Sequence, residues 1–212
     1  MDIIAKYLEN KAKGYRIRVV ILVVLLLLLD QATKILVKTS MPLGESIHVF
    51  GDWFQIRFIE NRGAAYGMEL GGEYGKLALS LFRIVAVGWL FYYINSLIKK
   101  GAPWKVIFGF TLITVGAMGN IIDSLFYGLI FTESTPMAVA HFTAWGTGYD
   151  TFLHGSVVDM LYFPIINTTL PDWVPIWGGE PYIFFSPIFN VADSLISIGF
   201  IYMVLFCRKF FR

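Results

Sequence analysis

Four apolar stretches dominate this chain, and each is close to the length of about 20 residues that a helix needs to cross a bilayer. The composition agrees, since 57% of the residues are hydrophobic and only 15% are charged, against about 25% charged in an average soluble domain. We therefore predict an α-helical polytopic membrane protein with four transmembrane helices. The predicted spans cover residues 19–38, 77–98, 106–123 and 188–207.

Lysine and arginine predict how these spans are oriented. Five basic residues precede the first span, three lie between or beside spans two and three, and three follow the fourth, whereas none lies between Lys105 and Arg208. Because cytoplasmic loops carry the excess of basic residues, we expect both termini on the cytoplasmic side. The segments 39–76 and 124–187 then face outwards, and residues 1–212 form a single membrane-embedded domain.

Polar side chains interrupt all four spans at a similar depth. At a rise of about 1.5 Å per residue, Asp30 lies about 18 Å beyond Arg18, and Asp193 lies about 22 Å from Arg208. This depth corresponds to the outer third of the membrane. Charges inside a bilayer are costly and usually face one another or a water-filled cavity, so we expect a shared polar site near the outer surface. Its members are Asp30, Lys34, Arg83, Asn120, Asp123 and Asp193.

Several of these residues also have a purely structural interpretation. Asp30 and Lys34 are four residues apart on one helix face, and they could simply neutralise each other. For Arg83 the favoured expectation is that its long side chain extends to the outer interface. Gly116 and Gly119 favour close helix packing rather than chemistry.

Metal, disulfide and nucleic-acid chemistry find little support in the sequence. His48, His141 and His154 do not show the spacing of a metal site, so we predict neither metal nor cofactor. Cys207 is the single cysteine, which excludes an internal disulfide. A net charge of +2 is too small to indicate a nucleic-acid partner.

The outer segments carry patterns of their own. The Gly51 and Asp52 turn precedes alternating apolar and polar residues from Phe54 onwards, which predicts a short strand or hairpin within residues 48–67. The stretch "LPDWVPIWGGEPYIFF" is rich in aromatic residues, and its Trp and Tyr content is typical of a segment at the lipid headgroup level.

Clustered carboxylates at such a site suggest acid and base chemistry. Two carboxyl groups that share one proton can activate a water molecule and assist a carbonyl group at the same time. Spacing alone leaves open which members of the set act as this pair; the candidates are Asp30, Asp123, Asp159 and Asp193. A proton-coupled transporter is the main alternative, although the inner halves of spans one, three and four offer no ionisable relay except Cys207. A structural scaffold would leave the carboxylates unexplained.

Five motifs resemble those of lipoprotein signal peptidase, also called type II signal peptidase, and they follow the family's order. They are "DQATK" at 30–34, "ENRGAAYGM" at 60–68, "GAMGNIID" at 116–123, "HGSVVDM" at 154–160 and "FNVADSLISIG" at 189–199. The resemblance implies a four-helix aspartic protease of the bacterial cytoplasmic (inner) membrane with an extracytoplasmic antiparallel β-cradle. It implies cleavage of diacylglyceryl-modified prolipoproteins before the lipid-bearing cysteine.

The same resemblance assigns roles to single residues. The family's catalytic aspartates fall on Asp159 and Asp193, while Asp30 and Lys34 match a supporting pair. The other positions that match residues lining the site are Asn61, Gly63, Asn120, Asp123 and Asn190. The expected partners are prolipoprotein substrates and membrane lipid, with cyclic peptides of the globomycin type as inhibitors and no nucleic acid.

This chain departs from the family pattern at two places. Ser124 stands where the family usually has arginine, so a basic contact near the substrate is missing or is supplied elsewhere. The interval between Asp123 and Asp159 is also longer than usual. We expect residues 129–153 to form an accessory outer element that contacts membrane or substrate, and residues 164–186 to enlarge the outer region further.

Overall fold

Four α-helices and a small antiparallel sheet make up the computed structural model of the chain, which describes residues 2–62 and 72–210. The helices are α1 (Asp2–Ser40), α2 (Gly72–Lys99), α3 (Trp104–Ile130) and α4 (Val191–Phe206). The strands are β1 (Ser46–Phe50), β2 (Phe54–Asn61), β3 (Val157–Tyr162), β4 (Ile166–Thr169), β5 (Pro181–Phe184) and β6 (Ile188–Phe189).

Three helices in the described part of the chain are long and apolar enough to cross a bilayer, and they occur where spans one to three are predicted. The qualifying segments are Lys6–Ser40, Leu77–Lys99 and Trp104–Ile130. Leu28 in α1 and Val85 in α2 are 62% and 71% exposed, as expected of helices that face lipid. These features identify a helical membrane protein.

The fourth span was predicted to begin at residue 188, before the point at which helix α4 starts. Residues 188–207 were expected to be one helix, but Ile188–Phe189 form strand β6 and Asn190 caps the helix that follows. The capping side chain accepts a hydrogen bond from the backbone N–H of Asp193, which sets the start of α4 at Val191. With 16 residues, α4 is about 24 Å long, somewhat shorter than a hydrocarbon core of about 30 Å.

Helix α3 packs closely against its neighbours because glycines remove side-chain bulk at the contacts. A Cβ atom on Gly116 would lie 2.3 Å from the carbonyl oxygen of Ala192 in α4, and one on Gly119 would lie 2.5 Å from Oδ2 of Asp30 in α1. The prediction that these two glycines serve helix packing is therefore confirmed. Their close approach also brings the polar groups of α1, α3 and α4 to one place.

The main sheet has the strand order β1-β2-β3-β6 with antiparallel neighbours. Strands β1 and β2 form the hairpin predicted around Gly51, although the later part of the predicted interval, residues 63–67, lies outside the described residues. Phe58 of β2 is fully buried with Val158 and Met160 of β3 against the end of α1. This packing fixes β3 above the helices and so positions Asp159.

The two outer insertions differ in how they are attached. Residues 129–153 were expected to be accessory, yet Phe131 is fully buried in the core. Ser134 also donates a hydrogen bond to Glu60 at 2.7 Å and accepts one from Lys38 at 2.9 Å. At least this first part belongs to the core, and the predicted boundary at 129 falls inside α3, which continues to Ile130.

The second insertion is a separate two-stranded sheet, in which β4 pairs with β5. Its tip carries large apolar side chains that nothing covers in the described residues, since Trp173, Ile176 and Trp177 are 81%, 89% and 61% exposed. This hairpin therefore presents an apolar end.

Candidate active site

Asp159 of β3 and Asp193 in the first turn of α4 lie close together where the sheet packs on the ends of the helices. Asn190 contacts both carboxylates: its side-chain N–H donates to Oδ1 of Asp159 at 2.6 Å, and its backbone N–H donates to Oδ2 of Asp193 at 3.3 Å. Burial and the nearby negative charge of Asp193 raise the pKa of Asp159 to about 7. The two carboxyl groups therefore form an interacting pair.

The two carboxylates have different surroundings. Asp193 accepts hydrogen bonds from the side chain of Asn120 at 2.8 Å and from the backbone of Asn190, and it lies at the N-terminus of a helix, where negative charge is favoured. Asp159 is only 4% exposed, and within residues 2–62 and 72–210 its carboxylate accepts one hydrogen bond, from Asn190. Asp193 thus accepts more hydrogen bonds, whereas burial and the charge of Asp193 raise the pKa of Asp159 and favour its protonated form.

Asn120 connects this pair to the interior of the helical bundle. Its amide nitrogen donates to Asp193, and its carbonyl oxygen accepts from Lys34 at 2.9 Å and from Asn190 at 3.1 Å. Because an amide has both donors and acceptors, Asn120 can bridge an ammonium group and a carboxylate. Its orientation is consequently determined from both sides.

Lys34 lies at the centre of a fully buried charge cluster. Its ammonium group is 3.0 Å from Oδ2 of Asp30 and 2.9 Å from Oδ2 of Asp123, and all three side chains are inaccessible to solvent. With Asn120 as the third acceptor, all three N–H donors of the lysine are used. The intrahelical pair of Asp30 and Lys34 predicted from their spacing does form, and Asp123 joins it from α3.

The cluster is fastened to the rest of the site through backbone groups. The backbone N–H of Ala192, in the first turn of α4, donates to Oδ1 of Asp30 at 2.9 Å. The backbone N–H of Val158, next to Asp159 in β3, donates to Oδ2 of Asp123 at 3.2 Å. Asp30 and Asp123 therefore hold the two elements that carry Asp159 and Asp193.

Gln31 and Tyr127 belong to the same network and were not singled out from the sequence. Gln31 donates to Asp123 at 2.9 Å and accepts from the hydroxyl group of Tyr127 at 3.1 Å. Helix periodicity could have identified Tyr127, because it follows Asp123 by four residues and shares its face. Gln31 directly follows Asp30 in "DQATK", but sequence spacing gives no sign that it faces α3.

The remaining predicted residues lie beside the carboxylate pair or outside the described part. Asn61 and Ser124 line one small cavity together with Arg83, whereas Gly63 lies outside the described residues. The hydroxyl group of Ser124 donates to the backbone of its own helix at Asn120, so Ser124 supplies no positive charge. Arg83 lies within electrostatic range of both Asp193 and Asp159, and the expectation that it extends to the outer interface stays a prediction.

No group of three His, Cys, Asp or Glu side chains in residues 2–62 and 72–210 is arranged to hold a metal ion. The polar groups that are present instead form a continuous network of amides, carboxylates and one lysine. That network is suited to holding one ionised and one protonated carboxyl group side by side.

Comparison with known proteins decides the family. The model of the family described as signal peptidase (SPase) II matches residues 22–209. The chain belongs to this family. It is 51% identical to the lipoprotein signal peptidase of Porphyromonas gingivalis over 185 residues, which cover 87% of this chain and 80% of the relative. It is 36% identical to that of Amoebophilus asiaticus over 185 residues, covering 85% of this chain and 73% of the relative.

The fold comparison agrees with this membership of the signal peptidase II family. A solved structure titled as a bacterial membrane enzyme, determined at 1.9 Å by the in meso method, superposes with a TM-score of 0.57 and 25% identity. The match covers 89% of this chain and 90% of the other. The resemblance read from the five sequence motifs is confirmed, and so is the prediction that the protein is a peptidase rather than a transporter.

Proposed function

We propose that this protein is an aspartic endopeptidase that removes signal peptides from diacylglyceryl-modified prolipoproteins and cuts before the lipidated cysteine. Its catalytic pair is Asp159 and Asp193. The observation that carries the proposal is the contact of Asn190 with both carboxyl groups, which holds them as one unit. Family membership and the names of the curated relatives support the choice of substrate.

The surroundings of the pair suggest how the reaction proceeds. Asp193, ionised, takes a proton from a water molecule, whose oxygen attacks the scissile carbonyl carbon. Asp159, protonated, gives its proton to the carbonyl oxygen as negative charge develops there. Collapse of the tetrahedral intermediate breaks the C–N bond, the proton now on Asp193 passes to the departing amine, and one hydroxyl proton of the intermediate returns to Asp159 as the carbonyl group re-forms. The pKa of about 7 for Asp159 keeps a large fraction of this group protonated near neutral pH.

The supporting residues keep this geometry fixed. Asn120 and Asn190 orient the two carboxyl groups, and Lys34 with Asp30 and Asp123 holds the elements that carry them. All of these are expected to act through position and charge rather than by bond making. Preorganised groups of this kind stabilise developing charge without having to reorganise during the reaction.

The topology forms part of the same proposal. We infer a single domain with four spans, α4 being the fourth, and with both termini on the cytoplasmic side of a bacterial inner membrane, because eleven of the seventeen basic residues cluster there. The pair would then lie near the outer leaflet. A diacylglyceryl group anchors a substrate at that height, so the peptide meets the carboxylates without leaving the membrane. Lipid would enter sideways between the helices.

The deciding experiment compares two substrates with the purified full-length protein. A diacylglyceryl-modified prolipoprotein should be cut before its modified cysteine, and the same polypeptide with an unmodified cysteine should remain intact. Equal cleavage of both would reject the lipid requirement. Inhibition by a cyclic peptide of the globomycin type, competitive with the lipidated substrate, would place that inhibitor at the same site.

A further inference from the structure

Arg83 is a charged residue in an otherwise apolar part of α2. Its neighbours Phe82 and Val85 are 69% and 71% exposed and face outward, whereas Arg83 is partly buried. Its side chain lines a small cavity with Asn61 and Ser124, and its guanidinium group lies within electrostatic range of Asp193 and Asp159. A charge within a membrane span is unfavourable unless partners compensate it, and these carboxylates are such partners.

The guanidinium group does not form a direct ion pair with either carboxylate among the described residues. The side chain of Arg83 instead lines a small cavity of about 10 Å³, which has room for about one oxygen-sized group. The walls of this cavity come from the end of β2, from α2, from α3 and from the loop before β3. The lining residues are Asn61, Arg62, Leu79, Ser80, Arg83, Ser124 and Gly155.

The charged groups near the cavity favour a ligand that is an uncharged hydrogen-bond acceptor. Guanidinium has five N–H donors and no acceptor, so its ligand must offer oxygen lone pairs. An anion such as phosphate would be repelled by Asp159 and Asp193, which lie within electrostatic range of Arg83. A carbonyl oxygen accepts hydrogen bonds without bringing a charge, and hydrogen bonds from a charged donor are stronger than those between neutral groups.

We propose that Arg83 binds a carbonyl oxygen of the substrate next to the scissile bond and so positions that bond over Asp159 and Asp193. This inference rests on the proposed function, because it needs a substrate that is cut by the carboxylate pair. The carbonyl belongs either to the peptide backbone or to an ester of the lipid. Both sources present the same acceptor to the guanidinium group.

Steady-state kinetics with the lipidated prolipoprotein test the role of Arg83. In Arg83→Gln the charge is lost, and kcat/KM should fall about 10- to 100-fold, mainly through a higher KM, because the lost contact is already made in the bound ground state. Arg83→Lys keeps the charge but loses the planar fork of donors, so kcat/KM should fall less, by about tenfold. Arg57→Gln is the matched control, since Arg57 stacks on Tyr162 and should leave kinetics unchanged.

Three outcomes would overturn the proposal. A kcat/KM within about twofold of the parent in folded Arg83→Gln would overturn it. If that variant does not fold, Arg83→Lys decides instead, and native kinetics in the lysine variant would show that the arginine serves only as a charge that holds α2 in place. A loss confined to kcat, with KM unchanged, would equally reject substrate binding.

A second substrate separates the two sources of the carbonyl. In an ether-linked analogue the lipid has no ester carbonyl. If the penalty of Arg83→Gln disappears with this analogue, the ligand is the ester; if the penalty persists, the ligand is a peptide carbonyl. Asp159→Asn serves as the reference in every assay. If it retains cleavage, the proposed function fails, whereas an inactive Asp159→Asn beside a native Arg83→Gln rejects the role of Arg83 alone.

Discussion

Asn190 donates its side-chain N–H to the carboxylate of Asp159 over 2.6 Å. The same residue caps α4 and accepts the backbone N–H of Asp193 at 2.8 Å. One asparagine therefore fixes a strand residue and a helix residue relative to each other. The separation of the two carboxyl groups is built into the start of α4 and does not depend on a flexible loop.

Asp159→Asn and Asp193→Asn should each abolish cleavage while the protein stays folded. Asparagine has nearly the shape of aspartate but cannot hold or release the shared proton. The double variant should lose no more activity than either single variant, because a coupled pair acts as a unit. Cleavage of the lipidated substrate, with binding measured separately, checks this prediction. Near-native turnover of either single variant would show that the pair is assigned wrongly.

Asp159→Asn should also change how stability depends on pH. The pKa of Asp159 is raised from 3.8 to about 7 in the folded protein, so the native state holds a proton that the unfolded state has released between these values. The parent should lose stability as pH rises from about 4 to about 7. The asparagine variant lacks this loss and should be more stable above pH 7 by about 2–4 kcal/mol.

Thermal unfolding of both proteins across this pH range measures the effect. The two curves should converge below about pH 4, where the aspartate is protonated in both states. Asparagine keeps an acceptor for Asn190, so that contact does not confound the comparison. A constant difference at all pH values would mean that the ionisation of Asp159 does not contribute to stability.

Asp30→Asn should lower stability and leave measurable activity. Asp30 contacts Lys34 and the backbone N–H of Ala192, and neither contact involves a reacting group. Removing one partner of a buried ion pair costs about 3–5 kcal/mol when it leaves a charge uncompensated, but here Asp123 remains beside Lys34, so we expect about 1–3 kcal/mol. Chemical unfolding and turnover are measured together; complete inactivity at full stability would assign Asp30 to the chemistry.

The main elements of this site follow from its sequence, because charges in a membrane must find partners. The apolar length of the spans identified three helices, and the depth of Asp30, Lys34 and Asp123 indicated that they meet. The assignment of Asp159 came from its motif alone. Periodicity could not place it, since β3 is buried on both faces and its contact with α4 arises only from tertiary packing.

Gly119→Ala should disrupt the site, whereas Gly88→Ala should be tolerated. A Cβ atom at 119 would lie 2.5 Å from Oδ2 of Asp30, while at Gly88 nothing lies within 4 Å. The first change forces α1 and α3 apart or displaces Asp30, at a cost of about 1–3 kcal/mol. The second adds a methyl group at an exposed helix position and improves helix propensity. Unfolding free energy and turnover should therefore both fall in Gly119→Ala, whereas in Gly88→Ala the unfolding free energy should be unchanged or slightly higher and turnover should be unchanged.

The tip of the β4–β5 hairpin should lie in the lipid headgroup region. An environment-sensitive fluorophore on Ile176→Cys, in a background with Cys207→Ser, should shift to shorter wavelength when the protein is placed in lipid nanodiscs instead of detergent-free amphipol. Ile176 lies between Trp173 and Trp177, and both rings favour the membrane interface. The side chain of Asp52 is 98% exposed, and the same fluorophore on Asp52→Cys should show no change in emission wavelength. Identical spectra at the two positions would place the tip in water.

The contacts made by the insertions could not be predicted from sequence patterns. Spacing identified extra residues before Asp159, but it could not reveal that Phe131 enters the core or that Ser134 binds Glu60. Such contacts join residues that are far apart along the chain, and no local pattern records them. The start of α4 was missed for a similar reason, because β6 exists only through its pairing with β3.

The pairing of Lys34 with Asp30 inside a single helix has a consequence for biosynthesis. A chain that is made from its N-terminus delivers α1 to the membrane before Asp123, Asn120 and α4 exist. Since Asp30 lies one turn from Lys34, the two charges can cancel within α1, and the helix can enter lipid with little net charge at that depth. The later helices then dock onto a polar group that is already neutral. Because Asp193 arrives with α4, the pair of Asp159 and Asp193 is completed only after the other described helices have been synthesised.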